Sequence, residues 1–240
     1  MITAKRPTLI SRIKNLLVPR GRTPRRIQTG PFKGILMELD LTSQTQLYLG
    51  LYERETGRSL KELSRGIQTG IDIGSAEGEY ALYFLSKPWC KKVFAFDPCT
   101  TAYEQFRLNL KLNRFEHALR LQAFNKFVGH SNDEQTCTMD SLFDSIVLPC
   151  LVKIDVEGGE VAILRGAQKL LASLQVRWLI ETHSAQLERQ CLDILREAGY
   201  WTRIIPNAWW RLFLPELRPI PHNRWLVATP VEPVIPPKLR

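Results

Sequence analysis

The sequence predicts an α/β domain built on a seven-stranded, mostly parallel β-sheet with helices on both faces. Short apolar segments that suit β-strands alternate along the chain with segments whose apolar residues recur at helical spacing. This alternation indicates βαβ crossovers, which produce a parallel sheet covered on both sides. The chain has 240 residues, 44% of them hydrophobic, which is enough for a large core and excludes disordered and fibrous classes.

Five strands are predicted from apolar runs, and two more are expected between residues 200 and 228. The five runs cover residues 67–73, 92–96, 119–124, 150–156 and 176–180. Residues 35–41 suggest a further strand ahead of the sheet, followed by a mostly helical stretch from 46 to 63. Three more helices are marked by apolar faces that share helical spacing: Tyr103, Phe106 and Leu110; Ile163, Ala167, Leu170 and Leu174; and Leu187, Cys191, Ile194 and Ala198, which Gly199 ends.

The positive charge of the chain is concentrated at its start. Of 33 basic and 24 acidic side chains, nine basic and no acidic ones lie in residues 1–34, so 24 of each remain in the rest. We therefore divide the chain into a basic N-terminal extension (1–34), a single domain (35–229) and a proline-rich tail (230–240). Within the extension we expect a short amphipathic helix ending near Pro19 and then an irregular basic strap.

Five cysteines without a CxxC pair predict free thiols and a reducing compartment, so we expect a cytoplasmic protein. No stretch approaches the ~20 apolar residues that span a bilayer. An organellar transit peptide is the alternative explanation of the acid-free, arginine-rich start.

A glycine loop, IDIGSAEG at residues 71–78, follows the first predicted strand of the sheet. Its pattern suits a cationic ammonium group at Asp72 better than a pyrophosphate, which an acidic residue repels. Asp97 ends the next strand, where a carboxylate can bind both hydroxyls of a ribose. Together they predict S-adenosylmethionine, with Asp72, Gly74, Ser75, Gly78 and Asp97 as binding residues. The alternative is that Asp72 caps a turn and that Asp97 caps the helix starting near Thr100.

The segment VKIDVEGGEVAILRGA, residues 152–167, strongly resembles the FkbM-type family of S-adenosylmethionine-dependent methyltransferases. The resemblance extends from about Gly30 to Tyr200 and includes YLGLYE, IDIGSAEGEY, FAFDP, LNLKLN, TMDSL and IETH. It implies a Rossmann-like class I fold and methyl transfer, most often to a hydroxyl oxygen of a sugar, lipid or secondary metabolite. Two departures are Asp97, where many relatives have Glu, and Ala76, where Asn is common.

The candidate catalytic residues follow the fourth and fifth strands. Asp155 is the first candidate for orienting or deprotonating the acceptor, and His183 and Glu181 are the second. These three can also hold a divalent metal, although no ligand spacing requires one. An ordinary hydrogen-bonded role for His183 remains open, as does helix N-terminus stabilisation by the acidic residues of the turn, Glu157 and Glu160.

Four further candidates are a glutamate, an asparagine, a lysine and an aromatic group. By resemblance Glu53 can close over the cofactor, or it can be a solvated helix residue. Asn125 follows the third strand near the expected adenine edge. Lys153 is expected to be the partner of a buried carboxylate or an edge-facing side chain. The aromatic group near the C-terminus can line an acceptor pocket or form core: Trp201, Trp209, Trp210 and Phe213.

Two other functions compete with methylation of a small-molecule, glycan or lipid acceptor. The basic extension can bind RNA for an RNA-directed enzyme, but no nucleic-acid-binding module is recognisable, and we do not expect nucleic acid as a partner. Alternatively, a non-catalytic module of the same fold uses residues 1–34 to lie on an anionic membrane surface. The oligomeric state and the acceptor are not determined by the sequence.

Overall fold

The computed structural model describes residues 18–115, 117–207, 211 and 222–231, and a seven-stranded sheet lies at its centre. Two strands, β1 (Arg22–Arg26) and β2 (Leu36–Asp40), precede this sheet. Its own strands are β3 (Thr69–Ile73), β4 (Lys92–Phe96), β5 (Leu121–Phe124), β8 (Cys150–Ile154), β9 (Val176–Thr182), β10 (Tyr200–Ile205) and β11 (Arg224–Pro230). A small parallel ribbon, β6 (Phe127–Val128) and β7 (Thr136–Cys137), comes between β5 and β8 in the chain.

The order of the strands defines where a ligand binds. The strands follow the order β10-β11-β9-β8-β3-β4-β5. Of these seven strands, β11 alone runs in the direction opposite to the other six. From β3 the chain moves outwards through β4 to β5, and from β8 it moves outwards on the other side to β9. Ligands of such sheets bind at the carboxyl ends of the strands beside this reversal. The predicted mostly parallel, seven-stranded sheet is confirmed, and the five strands predicted with bounds are displaced by two residues or fewer.

Helices cover both faces of the sheet, as predicted. They are α1 (Thr45–Leu49), α2 (Gly57–Leu63), α3 (Glu79–Leu85), α4 (Thr100–Leu112), α5 (Glu160–Arg165), α6 (Gln168–Ser173) and α7 (Ala185–Glu197), with 3₁₀ turns at Arg54–Thr56 and Met139–Ser145. Residues from α2, α3 and α4 pack into one buried cluster and residues from α5, α6 and α7 into another. Alternate strand residues face the two clusters, because successive side chains of a strand point to opposite sides.

The predicted irregular strap is wrong where the structure describes it. Residues Arg22–Arg26 form β1, which pairs antiparallel with β2 along its whole length. Pro24 is tolerated because β1 is an edge strand, where a missing backbone donor costs no ladder bond. Ile27 and Phe32 are each 1% exposed and belong to the core, so the chain packs as part of the domain on both sides of the expected boundary at residue 34.

Two predicted helices are interrupted. The stretch from 46 to 63 breaks after α1, at Gly50, which has a left-handed φ of 72°. The helix predicted through Ile163 and Leu174 breaks at Gly166, where any side chain would collide with the carbonyl oxygen of Gly129. The helix expected before Pro19, the aromatic residues after Ala208 and most of the tail lie outside the described residues.

Among the described residues, no helix is long and apolar enough to cross a membrane. All five cysteines are free, as predicted, and Cys90, Cys150 and Cys191 are buried.

Candidate active site

The glycine loop after β3 turns back across the carboxyl ends of β4 and β8. The amides of Gly74 and Ser75 both donate to the carbonyl oxygen of Phe96, each at 2.9 Å. Gly74 has a φ of 73°, and a Cβ there would collide with the carbonyl oxygen of Asp155. Gly78 has a φ of 97°, and a Cβ there would collide with the ring of Phe106. Both glycines are therefore required by close packing inside the protein, and Gly74 connects the loop directly to the end of β8.

Asp97 is held at the end of β4 by two backbone amides. Its Oδ2 accepts a hydrogen bond from Ala76 at 2.7 Å and its Oδ1 accepts one from Cys99 at 2.9 Å, and the residue is 8% exposed. Cys99 is the N-cap of α4, and the helix has no side-chain cap hydrogen bond, so the alternative role of Asp97 as the cap of this helix is wrong. Each carboxylate oxygen retains a second lone pair. Asn125 lies beside it and donates through Nδ2 to the carbonyl oxygen of Asp97 at 2.8 Å.

Asp72 is fully buried beneath the loop, and a lysine of the protein is its ion-pair partner. The Nζ of Lys153 lies 3.1 Å from Asp72 Oδ1 and donates to the carbonyl oxygen of Gly74 at 2.6 Å. Asp72 Oδ2 accepts from the amide of Ala81 at 2.9 Å, in the first turn of α3. Burial raises the pKa of Asp72 despite the lowering influence of Lys153. The expected role of Lys153 as the partner of a buried carboxylate is confirmed. Asp72 also caps the first turn of α3, which agrees with the alternative that it caps a turn.

Glu53 is also buried, at 0% exposure, and is not the solvated helix residue of the alternative interpretation. Its Oε2 accepts a hydrogen bond from the hydroxyl of Tyr80 at 2.7 Å. The backbone of Glu53 has a left-handed φ of 47°. Burial lowers the pKa of Lys153, but the charges of Asp72, Asp155 and Glu53 outweigh it and the pKa is raised.

The three candidate catalytic residues lie together at the carboxyl ends of β8 and β9. His183 Nε2 is 3.6 Å from Asp155 Oδ1 and 3.9 Å from Glu181 Oε2. One ligand atom from each residue can be chosen so that all lie within 4.8 Å of one another. The side chain of Asp155 is 24% exposed, whereas those of His183 and Glu181 are 7% and 3% exposed. Asp155 is thus the member of the group that a substrate reaches first.

Glu160 belongs to this site, which the sequence analysis did not predict. It lies in the first turn of α5 with 0% exposure, and its Oε1 is 2.7 Å from His183 Nδ1. Burial lowers the pKa of His183, but the hydrogen bond to Glu160 and the charge of Asp155 outweigh it, so the pKa is raised. The available sequence signal was an acidic residue that opens a helix five positions after Asp155, and the sequence favoured stabilisation of the helix N-terminus as its role.

Trp201 does not line this site. It is 52% exposed and borders a cavity of about 640 Å³ with Pro149 and Arg177, at the amino-terminal ends of β8 and β9. The acceptor-wall and core interpretations are both wrong for this residue.

Comparisons with known proteins agree with the fold. Residues 113–202 match the family model described as methyltransferase FkbM domain. The fold is similar to that of methyltransferase FkbM from Methylobacillus flagellatus, with a TM-score of 0.56 and 15% identity over 68% of this chain and 44% of that one. An rRNA methylase from Streptococcus thermophilus gives a TM-score of 0.51 at 14% identity, covering 75% of this chain and 98% of that one.

A third similar structure is a methyltransferase-class protein from Streptococcus mutans in complex with SAH. Its TM-score is 0.50 at 14% identity, over 73% of this chain and 97% of that one. No curated protein sequence matches the chain. The chain spans less than half, 44%, of the Methylobacillus protein.

The sheet order and these structures define a class I methyltransferase fold. The match to the FkbM domain confirms the resemblance found in the sequence, and this family and fold are S-adenosylmethionine-dependent. The matched segment contains Asp155, Glu160, Glu181 and His183, whereas the glycine loop and Asp97 precede it.

The residues present fit S-adenosylmethionine at its ribose end. Asp97 is oriented by two amides, and each of its oxygens keeps a second lone pair that could accept from one of two vicinal hydroxyls. Asp72 contributes differently from the expectation, because it holds Lys153 and the first turn of α3 in place beneath the loop. Direct binding of a ligand ammonium group by Asp72 stays a prediction.

Proposed function

We propose that the protein is an S-adenosylmethionine-dependent methyltransferase that methylates a hydroxyl oxygen of a small-molecule, glycan or lipid acceptor. The observation that carries the proposal is the placement of Asp155 beside the strand reversal of a methyltransferase fold, 3.6 Å from an imidazole, that of His183, which Glu160 holds by a hydrogen bond. When bound, S-adenosylmethionine supplies a methyl group that its sulfonium makes electrophilic.

The binding residues are proposed from their positions along the carboxyl edge. Asp97 would accept the two ribose hydroxyls, and Asn125 would help to form the adenine side of the site. The loop from Gly74 to Gly78 would form one side of the cofactor site. Its amides and glycines hold the loop backbone close to the ends of β4 and β8. Glu53 is buried near Lys153, on the same side of the loop.

Asp155 is proposed to orient the acceptor and take its proton. Asp155 would accept the hydroxyl proton as the acceptor oxygen takes the methyl group that S-adenosylmethionine would supply. His183 lies 3.6 Å behind Asp155, with its ring held by Glu160, so it can stabilise the carboxylate in one orientation. A positioned base of this kind contributes about 100- to 10,000-fold in rate.

The charge of the site favours a neutral acceptor over a polyanion. Asp155, Glu160 and Glu181 surround one imidazole, and the adjacent Lys153 lies 3.1 Å from Asp72 and 3.8 Å from Asp155, so carboxylates outnumber cations in this group. A negatively charged cleft repels phosphates and lowers their local concentration. This supports a sugar, lipid or secondary-metabolite hydroxyl and does not support the RNA-directed alternative.

Calorimetric titration of the full chain with S-adenosylmethionine tests cofactor binding. We expect saturable binding that Asp97→Asn weakens by at least tenfold, because an amide loses half of the acceptor capacity of the carboxylate. No heat and no thermal shift with the wild-type chain would remove the basis of the proposal.

Methyl transfer from labelled S-adenosylmethionine to a panel of sugar, lipid and polyketide alcohols tests the base. Asp155→Asn should reduce turnover by about 100- to 10,000-fold. Its affinity for S-adenosylmethionine should change by less than threefold. The control is Glu157→Gln, an exposed carboxylate of the same turn. Equal loss of turnover and cofactor affinity in Asp155→Asn would instead place Asp155 in the cofactor site.

A further inference from the structure

Three carboxylates converge on one imidazole at the ends of β8 and β9. His183 lies 2.7 Å from Glu160, 3.6 Å from Asp155 and 3.9 Å from Glu181. A protonated imidazole carries a single positive charge, and two of the three carboxylates are at least 97% buried. Buried charges require compensation by opposite charge or by a metal ion. Lys153 also lies 3.8 Å from Asp155 Oδ2, but it is closer to Asp72, at 3.1 Å. The cluster therefore offers carboxylate and imidazole donor atoms, most of them buried, at a place that substrates reach.

The two ring nitrogens of His183 are used differently. Nδ1 is bonded to Glu160, whereas Nε2 makes no hydrogen bond to any residue that the structure describes and points between Asp155 and Glu181. The side chain is 93% buried, since 7% of it is exposed. A histidine that binds a metal through one nitrogen almost always donates the other to a carboxylate or carbonyl, which sets its tautomer and orientation. Glu160 is placed to do this, and it is itself fully buried.

We propose that Asp155, Glu181 and His183 bind a divalent transition-metal ion through Oδ1, Oε2 and Nε2, and that Glu160 positions the imidazole. With bonds of about 2.1 Å, ligand atoms of a tetrahedral site lie about 3.4 Å apart. The two separations from Nε2 are 3.6 and 3.9 Å, and one ligand atom from each residue lies within 4.8 Å of the others, so side-chain adjustments of about 1 Å close the shell.

The donor set indicates which ions bind. Two carboxylates and one imidazole suit Mn²⁺, Fe²⁺, Co²⁺ or Zn²⁺ better than Mg²⁺ or Ca²⁺, which prefer oxygen ligands alone. Three protein ligands leave coordination positions open, as in catalytic sites. The role of the ion rests on the proposed function: it would hold the acceptor oxygen at Asp155 and lower the pKa of its hydroxyl. Binding of the ion itself does not depend on that function.

Mn²⁺ titration of the EDTA-treated full chain, without S-adenosylmethionine, tests the site by electron paramagnetic resonance and thermal melting. We expect one Mn²⁺ per chain and a higher melting temperature with the ion. Asp155→Asn and His183→Gln should each weaken Mn²⁺ binding by at least tenfold, and Glu160→Gln by about 10- to 100-fold, as loss of a positioning carboxylate does elsewhere. Glu157→Gln, exposed on the same turn as Asp155, is the matched control and should bind Mn²⁺ as the wild-type chain does.

Folding of the variants is checked in the absence of metal. Asp155 has a 24% exposed side chain, and Lys153, 3.8 Å away, keeps its closer partner Asp72, so Asp155→Asn should retain a single cooperative melting transition without metal while losing the stabilisation by Mn²⁺. This variant decides the question even if His183→Gln fails to fold. Absence of Mn²⁺ binding at millimolar concentration, or undiminished binding in Asp155→Asn, overturns the proposal.

A separate S-adenosylmethionine titration distinguishes the metal from the cationic end of the cofactor. Displacement of Mn²⁺ by S-adenosylmethionine would mean that the cluster serves the cofactor, and it overturns the metal site. Independent binding of both supports it. Binding of Mn²⁺ without any binding of S-adenosylmethionine would refute the proposed function and leave the metal site standing.

Discussion

Replacing Lys153 by methionine removes the cation that lies beneath the candidate site. The ammonium group is 3.1 Å from Asp72 Oδ1 and donates to the carbonyl oxygen of Gly74 at 2.6 Å, and the lysine side chain is 3% exposed. Methionine has a similar length and fills the same space without a charge. The variant therefore leaves the fully buried Asp72 without its ion-pair partner.

The expected cost follows from the geometry of the pair. At 3.1 Å and an effective dielectric constant of about 20, the attraction is about 5 kcal/mol. Removing one partner of a buried pair generally costs about 3–5 kcal/mol, because the remaining charge stays desolvated. We expect Lys153→Met to lower the free energy of unfolding by that amount and the melting temperature by roughly 6–20 °C for a chain of this size.

Urea unfolding followed by circular dichroism measures the effect, with Lys153→Met/Asp72→Asn as the companion variant. The double variant should regain at least half of the lost stability, since it removes the unpaired charge. A loss below about 1 kcal/mol in the single variant would show that the pair contributes little. A double variant as unstable as the single one would show that packing, and not charge, is responsible.

The same variant has a pH dependence of defined sign. Burial already raises the pKa of Asp72, and loss of the lysine charge raises it further. The folded variant then binds a proton at pH values where the unfolded chain, with a carboxyl pKa of about 3.9, does not. Its stability therefore falls as the pH rises above about 4, and its difference from the wild-type chain narrows at acidic pH. A constant difference between pH 4 and 8 would contradict this reasoning.

Three further predictions concern other parts of the chain. Ala76 has a left-handed φ of 44°, which strains a residue with a side chain, so Ala76→Gly should raise the free energy of unfolding in urea by about 0.5–1 kcal/mol. An unchanged urea midpoint would argue against strain at this residue. Asn109→Ala should lower the free energy of unfolding by about 2–3 kcal/mol, because the buried side-chain amide accepts from the Glu38 backbone amide and donates to the Glu77 carbonyl oxygen. A smaller loss than that caused by Asn125→Ala, at an exposed residue, would refute this expectation. A thiol reagent with mass-spectrometric readout should modify Cys99 first in the folded chain, since it is exposed and the Thr101 hydrogen bond lowers its pKa. Earlier reaction of a buried thiol would contradict the fold: Cys90, Cys150 or Cys191.

Local patterns in the sequence were sufficient for the sheet and for the edge where the site lies. Apolar runs and the punctuation by Gly74, Gly78 and Gly199 place strands and helix ends, since these depend on the periodicity and backbone freedom of a few adjacent residues. Asp155 and His183 were selected because carboxyl ends of neighbouring parallel strands meet at one edge. That inference needs no knowledge of side-chain packing.

The strand formed by Arg22–Arg26 shows where local patterns fail. A proline among arginines has low β-propensity, and the segment becomes a strand because β2 offers it a pairing partner. Gly166 interrupts a helix for a similar reason, because it packs against the backbone of Gly129, 37 positions earlier in the chain.

The sequence by itself determined the succession of strands in the central sheet, the glycine loop and the short set of acidic and histidine residues available for chemistry. Only the tertiary structure decided their partners. It assigned Lys153 to Asp72 and Glu160 to His183, and it left Nε2 of His183 facing Asp155 and Glu181. The physical reason is that charge pairing depends on distances of a few ångströms between different strands and helices, which no local periodicity encodes.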